Sequence, residues 1–419
     1  MANLPIFGAP MFQQELDGSY QVDVSPMGDI AQGPIEFNII GNDDFIDLNA
    51  ISLHTKVKIV KQDGSSYLKD AEVALINNAF HSLFSDVIVT INETIVEGGE
   101  QLYFLKAMIS TLFAFTEDTM EKQLFSTGFV KDDAGKADDL TNKAYLTRRA
   151  WTSTGASKEF YGKLFVDLFQ QTKYLIGNVN MRIKLIRAAH TMALCTNVVG
   201  EKPKFIIESA KLYIRKIRPH PDIANGIVAN LSRGAYVHYP IQRTDIVMLP
   251  VASGQLDITK EQLFYGKVPK ILVMSMLDNE ALSGVYSKTP FNFKHFNVKF
   301  IDLRIDGVSK PVLPLTPDFA GKQCIREYMS LLESMSILGK DARLPFAYEE
   351  FQNGYTFFAW NLTPDYQGQP QNQAKRSNIR LDLKFAEVTA ASTNVLQYCV
   401  FNSTVMIDGS GNIITDYKD

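Results

Sequence analysis

Polar and apolar residues alternate with a period of two in many segments of this chain, which is the pattern of a β-strand with one buried face. In residues 179–185, four apolar residues alternate with an asparagine, an arginine and a lysine, and residues 379–385 repeat the pattern. Other segments of strand character are 35–40, 56–60, 87–91, 205–217, 270–274, 298–305, 356–360 and 395–407. Turn signals such as Asp306-Gly307 and Asn353-Gly354 separate them. The alternation predicts an all-β chain.

Two segments have helical spacing instead. Apolar residues recur at steps of three and four at Leu102, Leu105, Ile109 and Leu112, and again at Ile325, Tyr328, Met329, Leu332 and Met335. Each segment predicts one short amphipathic helix that packs on a sheet edge or on the end of a sandwich.

The order of these elements repeats along the chain. Each half has a strand, the helix, a polar stretch, an aromatic strand (KLFVDLF at 163–169 and YTFFAWNL at 355–362), an alternating strand and a long final strand. Matching elements lie about 190 to 220 residues apart, which indicates two copies of one domain. We place these domains at residues 1–215 and 216–419.

Long polar inserts occur at residues 131–149 and 364–378, near the late strands of both halves. Loops of this length project from a β domain at one end and are functional or disordered. Eight-stranded sandwiches with one helix and long loops at one end describe the jelly roll. The sequence therefore predicts two tandem eight-stranded antiparallel jelly rolls, each with a short accessory helix.

Charge and cysteine usage exclude several classes of protein. The chain has 42 basic and 46 acidic residues and a net charge of -4, so no specific nucleic-acid binding is expected. Cys195, Cys324 and Cys399 form no CxxC pair, which is typical of a reducing compartment. The sequence has no secretory signal and no apolar stretch of 18 residues, so no membrane span is expected.

We find no constellation of residues that predicts an enzyme. The histidines are far apart and have no HxH, HExxH or HxxxH spacing, at His54, His81, His190, His220, His238 and His295. The sequence contains no GxSxG elbow and no phosphate-binding GxxxxGK[ST] loop. We therefore assign no catalytic, cofactor-binding or metal-binding residue, and we interpret His295, between two phenylalanines, as structural.

Four other features have a functional interpretation and a simpler structural one. Gly98-Gly99, flanked by Glu97 and Glu100, has two interpretations. It forms either a loop that binds an anion or a metal, or a turn followed by acids that face a helix dipole, and we favour the turn. The basic run KLYIRKIRPH (211–220) either contacts nucleic acid or forms the solvated face of a strand, and we favour the strand face. The aromatic cluster of Phe291, Phe293, Phe296 and Phe300 has two interpretations, a surface that stacks on bases or sugars and the filling of a core. We favour the core. We interpret Gly409-Ser410-Gly411 as a hairpin turn.

Seven motifs in order, from about residue 30 to the C-terminus, resemble one family. They are AFHSLFSDVIVTIN (79–92), KYLIGNVNMRIKLIRA (173–188), FIIESAKLYIRKI (205–217), KTPFNFKHFNVKFIDLRIDG (288–307), LTPDFAGKQCIREYMSLL (315–332), NGYTFFAWNLTPD (353–365) and NIRLDLKFAE (378–387). They resemble the double jelly-roll major capsid proteins of Polinton/Maverick elements and adintovirus-like viruses, which are related to virophage and adenovirus-lineage capsid proteins.

The resemblance implies a structural subunit with no activity of its own. It implies a homotrimer whose six jelly rolls give a pseudo-hexameric capsomer, neighbouring capsomers in an icosahedral shell, and a separate single jelly-roll penton protein. It also implies synthesis in the host cytoplasm and a final location in the virion. The alternative is a carbohydrate- or receptor-binding jelly-roll protein, because lectins share this architecture. A metal-dependent jelly-roll enzyme is disfavoured, because the required His/Glu spacing is missing.

Overall fold

Eight strands in two four-stranded sheets form the first half of the molecule, which we call roll 1 (residues 16–219). The computed structural model describes residues 15–31, 33–69, 71–263, 267–338, 344–363 and 377–417. The strands are β1 (Leu16–Val24), β2 (Ile35–Ile39), β3 (Phe45–Val60), β4 (Phe84–Ile91), β5 (Thr94–Glu97), β6 (Ser157–Gly162), β7 (Met181–Arg187) and β8 (Lys204–Pro219). One sheet has the order β1-β8-β3-β6 and the other β2-β7-β4-β5, and all neighbouring strands are antiparallel.

The second half, which we call roll 2 (residues 237–417), repeats this arrangement. Its strands are β9 (Val237–Val251), β10 (Asp257–Lys260), β11 (Ile271–Asp278), β12 (Val298–Ile305), β13 (Val308–Leu315), β14 (Phe358–Asn361), β15 (Ile379–Phe385) and β16 (Thr393–Ile407). The sheet orders are β9-β16-β11-β14 and β10-β15-β12-β13, which are the orders of roll 1 with eight added to each label. The predicted pair of eight-stranded antiparallel jelly rolls is therefore confirmed.

Three short strands lie outside this scheme. Ala74–Leu75 pairs with Leu194–Cys195 in roll 1, and Ile413–Thr415 adds to the end of β16 in roll 2. A turn at residues 408–412 joins Ile413–Thr415 to β16, so the predicted hairpin at Gly409-Ser410-Gly411 is confirmed.

The helices are more numerous than the one per roll that we predicted. The longer ones are α1 (Tyr103–Ala114), α2 (Glu117–Lys122), α3 (Lys143–Trp151), α4 (Pro221–Ser232) and α5 (Ile325–Ser334). Single turns occur at Ala79–Ser82, His190–Ala193, Asn279–Leu282 and Tyr348–Phe351, and 3-10 turns at Leu124–Thr127, Ser153–Gly155 and Asp167–Gln170. Both predicted helices are present, as α1 and α5.

Two sequence expectations for roll 1 are wrong in detail. The polar insert 131–149 contains the start of α3, because Asn142 caps that helix by accepting a hydrogen bond from the Ala144 N–H. KLFVDLF at 163–169 is not a strand; the strand of this region is β6, and Asp167–Gln170 forms a 3-10 turn. The second insert, 364–378, lies outside the described residues except for its last two.

The connection between the rolls consists of α4 and its flanking residues. Strand β8 continues to Pro219, past the predicted domain boundary at residue 215, and β9 begins at Val237. The two rolls have separate buried cores, but each core includes residues of the other roll. Within the described residues, no helix is both long enough and apolar enough to cross a lipid bilayer.

Candidate functional site between the two rolls

Helix α1 of roll 1 lies between the rolls and packs on the outer face of the sheet β9-β16-β11-β14 of roll 2. Five of its apolar residues belong to the core of roll 2, namely Phe104, Leu105, Met108, Ile109 and Leu112. The hydroxyl groups of Ser110 and Tyr398 on β16 are 3.1 Å apart, and the Phe113 ring packs edge-on against Phe357, with centroids 5.3 Å apart. We predicted that this helix covers a sheet edge or a sandwich end, but it fills the interface between two sandwiches.

Roll 1 also supplies hydrogen-bond partners for β9, the edge strand of that sheet. The backbone N–H of Thr244 donates to the Asp167 carboxylate at 2.7 Å, and that of Ile246 donates to Glu100 at 3.3 Å. The ammonium of Lys173 donates to a carbonyl of the same strand at 2.8 Å. An unpaired strand edge is a template for unwanted pairing, so these contacts protect β9 while they join the rolls.

A buried ion triad lies beside α1. The Lys106 ammonium is 2.6 Å from Glu97 and 2.9 Å from Asp167, and the three side chains are 9%, 15% and 9% exposed. Burial, followed by the charge of Asp167, raises the pKa of Glu97 to about 7. Burial alone would lower the pKa of Lys106, but the two carboxylates outweigh it, so the pKa of Lys106 lies above its ordinary value.

A second polar group from both rolls adjoins the triad. Arg243 on β9 forms an ion pair with Asp245, and its guanidinium lies over the rings of Phe401 and Tyr417, 4.7 and 5.1 Å from their centroids. Burial, followed by a hydrogen bond with Asp245, raises the pKa of Glu100 to about 7. The raised pKa favours the protonated form of Glu100, beside the Asp245 carboxylate of the opposite roll.

The two groups line one cavity of about 120 Å³ between the rolls. In the part of the chain that the structure describes, no three His, Cys, Asp or Glu side chains are arranged to hold a metal ion. The arrangement can hold protons and can join the rolls, because carboxylates and cations of opposite rolls meet in a desolvated space.

The turn at Gly98 brings the two glutamates to this interface. Gly98 has a φ of +105°, and a Cβ atom there would lie 2.7 Å from the Cα of Ile88. The predicted turn is therefore present. Helix α1 has no acidic residue in its first turn; the Glu97 carboxylate binds Lys106, and Glu100 accepts a hydrogen bond from a backbone N–H of roll 2.

Other residues that the sequence singled out lie apart from the interface. His295 stacks on Phe319, with ring centroids 4.2 Å apart, and burial lowers its pKa. His81 is fully buried against the Tyr103 hydroxyl, and burial lowers its pKa to about 3. The described cysteines are unpaired thiols, at Cys195, Cys324 and Cys399. The predicted structural role of His295 agrees with these contacts.

The basic run has the simpler interpretation, and the aromatic cluster fills a core only in part. Phe291 and Phe293 are buried in the core of roll 2, whereas Phe300 lies at its surface under the Lys384 ammonium. The basic run lies on β8, where Lys211 pairs with an aspartate of β1 at 2.6 Å and the neighbouring cations point to solvent.

Sequence reasoning missed Lys106, Asp167, Arg243 and Asp245. One signal was available for Lys106, which is the single charged residue in the twelve residues of α1. A lone charge in an otherwise apolar helix indicates a buried partner. Its partner Asp167 lies sixty-one positions further along the chain, in a segment that we predicted as a strand because of its aromatic residues.

Comparison with known proteins agrees with the fold. No family model matches the chain. The chain is 23% identical over 404 residues to an uncharacterised protein of Caenorhabditis elegans, and the match covers 92% of this chain and 94% of that protein.

Solved structures of virus particles and capsid proteins are similar over nearly the whole chain. A chain of the Sputnik virophage matches with a TM-score of 0.66 at 11% identity, over 99% of this chain and 91% of that one. The capsid of the virus PBCV-1 matches with a TM-score of 0.59 at 12% identity, over 99% and 100%. The mavirus major capsid protein matches with a TM-score of 0.55 at 11% identity, over 99% and 93%. The predicted resemblance to double jelly-roll capsid proteins is thus confirmed for the fold.

Proposed function

We propose that this chain is a major capsid protein, the structural subunit of an icosahedral shell. The observation that carries the proposal is the pair of rolls with one strand order, joined through a buried interface. A likeness that covers 99% of this chain to a virophage structure supports it.

Physical reasoning links this fold to a shell. A closed shell needs many copies of a stiff unit, and two packed sheets in each roll supply stiffness. Three copies of a chain with two similar rolls form a six-sided unit with only threefold symmetry. We propose two domains that meet near residues 215–237, and a homotrimer that binds neighbouring capsomers and a separate penton protein. We further propose that the chain is made in the host cytoplasm, is located in the virion and has no catalytic role.

Sizing and imaging of the purified chain test the proposal. Three copies of the 47.0 kDa chain give a particle of about 141 kDa. We expect mass photometry to find that mass and negative-stain electron microscopy to show a six-sided outline. A chain that stays monomeric at micromolar concentration and binds a sugar on a glycan array would instead support the carbohydrate-binding alternative.

A further inference from the structure

The two sheets of identical strand order differ in how they are covered. In roll 2, the first nine residues of β16 are all buried, because α1 covers the outer face and the core covers the inner one. In roll 1, the matching strand β8 alternates between buried and exposed residues along most of its length. By the residues that the structure describes, its sheet, β1-β8-β3-β6, is therefore covered on its inner face only.

The uncovered side of that sheet, which we call the roll 1 outer face, has a defined set of side chains. Lys211 on β8, His54 on β3 and Tyr161 on β6 are cross-strand neighbours, and Tyr161 is 45% exposed. The ring of Tyr213 lies 6.1 Å from that of Tyr161. Two neighbouring tyrosines among charged residues are typical of a protein interface.

The edge strand β1 borders the same face. It is nine residues long and largely exposed, and in the described part of the chain it pairs along one edge, with β8. The matching strand of roll 2, β9, is protected by carboxylates and a lysine of roll 1. A long, open strand edge is a liability that proteins cover.

Roll 2 has an exposed apolar surface at the position that corresponds to α1 in chain order. Helix α5 follows β13 as α1 follows β5, but α5 exposes residues that α1 buries. Val312, Leu313 and Ile325 are 85%, 69% and 57% exposed. The Arg326 guanidinium donates to the Leu313 carbonyl at 2.8 Å, so the end of β13 and the start of α5 form one surface, which we call the roll 2 apolar patch.

We infer that the roll 2 apolar patch of one chain docks on the roll 1 outer face and on β1 of a second copy. The contact between rolls inside the chain is the template, because each roll presents the same sheet and the same helix order. A contact between two different surfaces of identical chains closes into a ring when the rotation allows it, and three chains with two rolls each complete six. The inference rests on the proposed function and names the surfaces that build the trimer.

Charge substitutions on the two surfaces test the inference. We use Leu313→Asp with Ile325→Asp on the roll 2 apolar patch and Tyr161→Asp on the roll 1 outer face. Both sets lie at exposed positions, so the monomer is expected to fold, which circular dichroism and thermal melting verify. The matched control is Val228→Asp, which changes a residue that is 61% exposed on α4.

We expect the wild type and the control to form trimers by mass photometry. Each surface variant should trimerise at least about 100-fold more weakly, because a charge at the centre of a desolvated contact is strongly unfavourable. If the wild type is a trimer and either surface variant still trimerises like it, the inference is overturned and the proposed function stands. If the control also loses the trimer, the surfaces are not specific and the inference is again overturned. A monomeric wild type overturns the proposed function itself.

Hydrogen exchange gives a second measurement on the same samples. Backbone amides of β1 should exchange more slowly in the wild-type trimer than in the monomeric Leu313→Asp, Ile325→Asp variant, because docking covers that edge. Equal exchange at β1 in trimer and monomer would show that the patch contacts another part of the second copy or another kind of partner.

Discussion

Helices α1 and α5 follow corresponding strands of the two rolls, yet one is buried and the other is half exposed. Helix α1 has one charged residue in twelve and buries most of its residues, because it lies between two sandwiches. Helix α5 has three charged residues, Arg326, Glu327 and Glu333, and buries three of its ten residues, Glu327, Leu331 and Ser334, against its own roll. A helix that is apolar on all sides needs cover on all sides, whereas an amphipathic one needs cover on one side.

The difference shows that the amino-acid composition of a helix reflects how many of its sides are covered by other elements. Roll 2 needs roll 1 to cover its sheet, and among the described residues roll 1 has no such partner within the chain.

Replacing Lys106 with alanine should have the largest effect. It leaves Glu97 and Asp167 buried and close together without their cation, which costs about 3–5 kcal/mol of unfolding free energy. Urea unfolding followed by fluorescence measures the loss. The control is Lys131→Ala, which removes a half-buried ion pair with Glu350 of roll 2 and should cost about 1 kcal/mol or less.

The triple variant Lys106→Met, Glu97→Gln, Asp167→Asn checks the cause of that loss. It removes the charges together and keeps oxygen acceptors for the backbone N–H groups of Asp167 and Thr244. It should be more stable than Lys106→Ala alone. A triple variant that is less stable would show that the salt bridges themselves hold the rolls together.

Removing side chain from α1 and from α5 tests the comparison directly. Ile109→Ala should destabilise the chain by about 2–5 kcal/mol, because Ile109 is fully buried against roll 2 and a cavity remains. Ile325→Ala changes a residue that is 57% exposed, and in the monomer it should change stability by about 0.5 kcal/mol or less. Thermal unfolding of both variants at dilute, monomeric concentration measures the difference, and equal losses would contradict it.

The interior strands and helices α1 and α5 could be predicted from the sequence, at least in part, whereas most edge strands could not, β2 and β14 being exceptions. Strand β12 was predicted with its observed bounds, and β8 and β16 to within two residues at each end, because their alternation reflects one buried face or two. Strands β1 and β9 were missed. Strand β1 is largely exposed and has Asp17, Gly18 and Ser19 near its start, and β9 contains Pro240 and Pro250, which an edge strand tolerates because one of its sides forms no ladder.

The interface between the rolls could not be predicted for a related reason. Asp245 and Asp167 are hydrophilic residues on a strand and in a turn, and such residues usually face solvent. Their burial results from the docking of two complete rolls, and it follows from the fold and not from local spacing. Periodicity describes the face that an element buries in its own sheet, so a second covered face has no separate signal unless, as in α1, polar residues disappear altogether.

The turn before α1 should tolerate alanine at one glycine and not at the other. Gly98→Ala places a Cβ 2.7 Å from a backbone atom of β4 at a φ of +105°, so we expect a loss of about 2 kcal/mol. Gly99→Ala has a similar φ of +109° but open space around it, and it should lose about 1 kcal/mol. Chemical unfolding of both variants separates the steric cost from the backbone cost, and equal losses would show that the clash is relieved without cost.

The smallest expected effect is the dependence of stability on pH that Glu100 contributes. Burial and Asp245 raise the pKa of Glu100 to about 7 from its ordinary 4.5, so between these values the folded chain keeps a proton that the unfolded chain has lost. Stability from this group is therefore lost as the pH rises through that window. Glu100→Gln keeps an oxygen acceptor for the Ile246 N–H and has no proton to lose.

Relative to the wild type, the variant should gain about 1 kcal/mol in unfolding free energy between pH 5 and pH 8, a value reduced because Glu100 is partly solvated. Buried histidines titrate in both proteins, so they cancel in the difference. Urea titrations at four pH values measure it, with Glu333→Gln on the exposed side of α5 as the matched control, and a difference that shrinks as the pH rises would rule out a raised pKa of Glu100 in the folded chain.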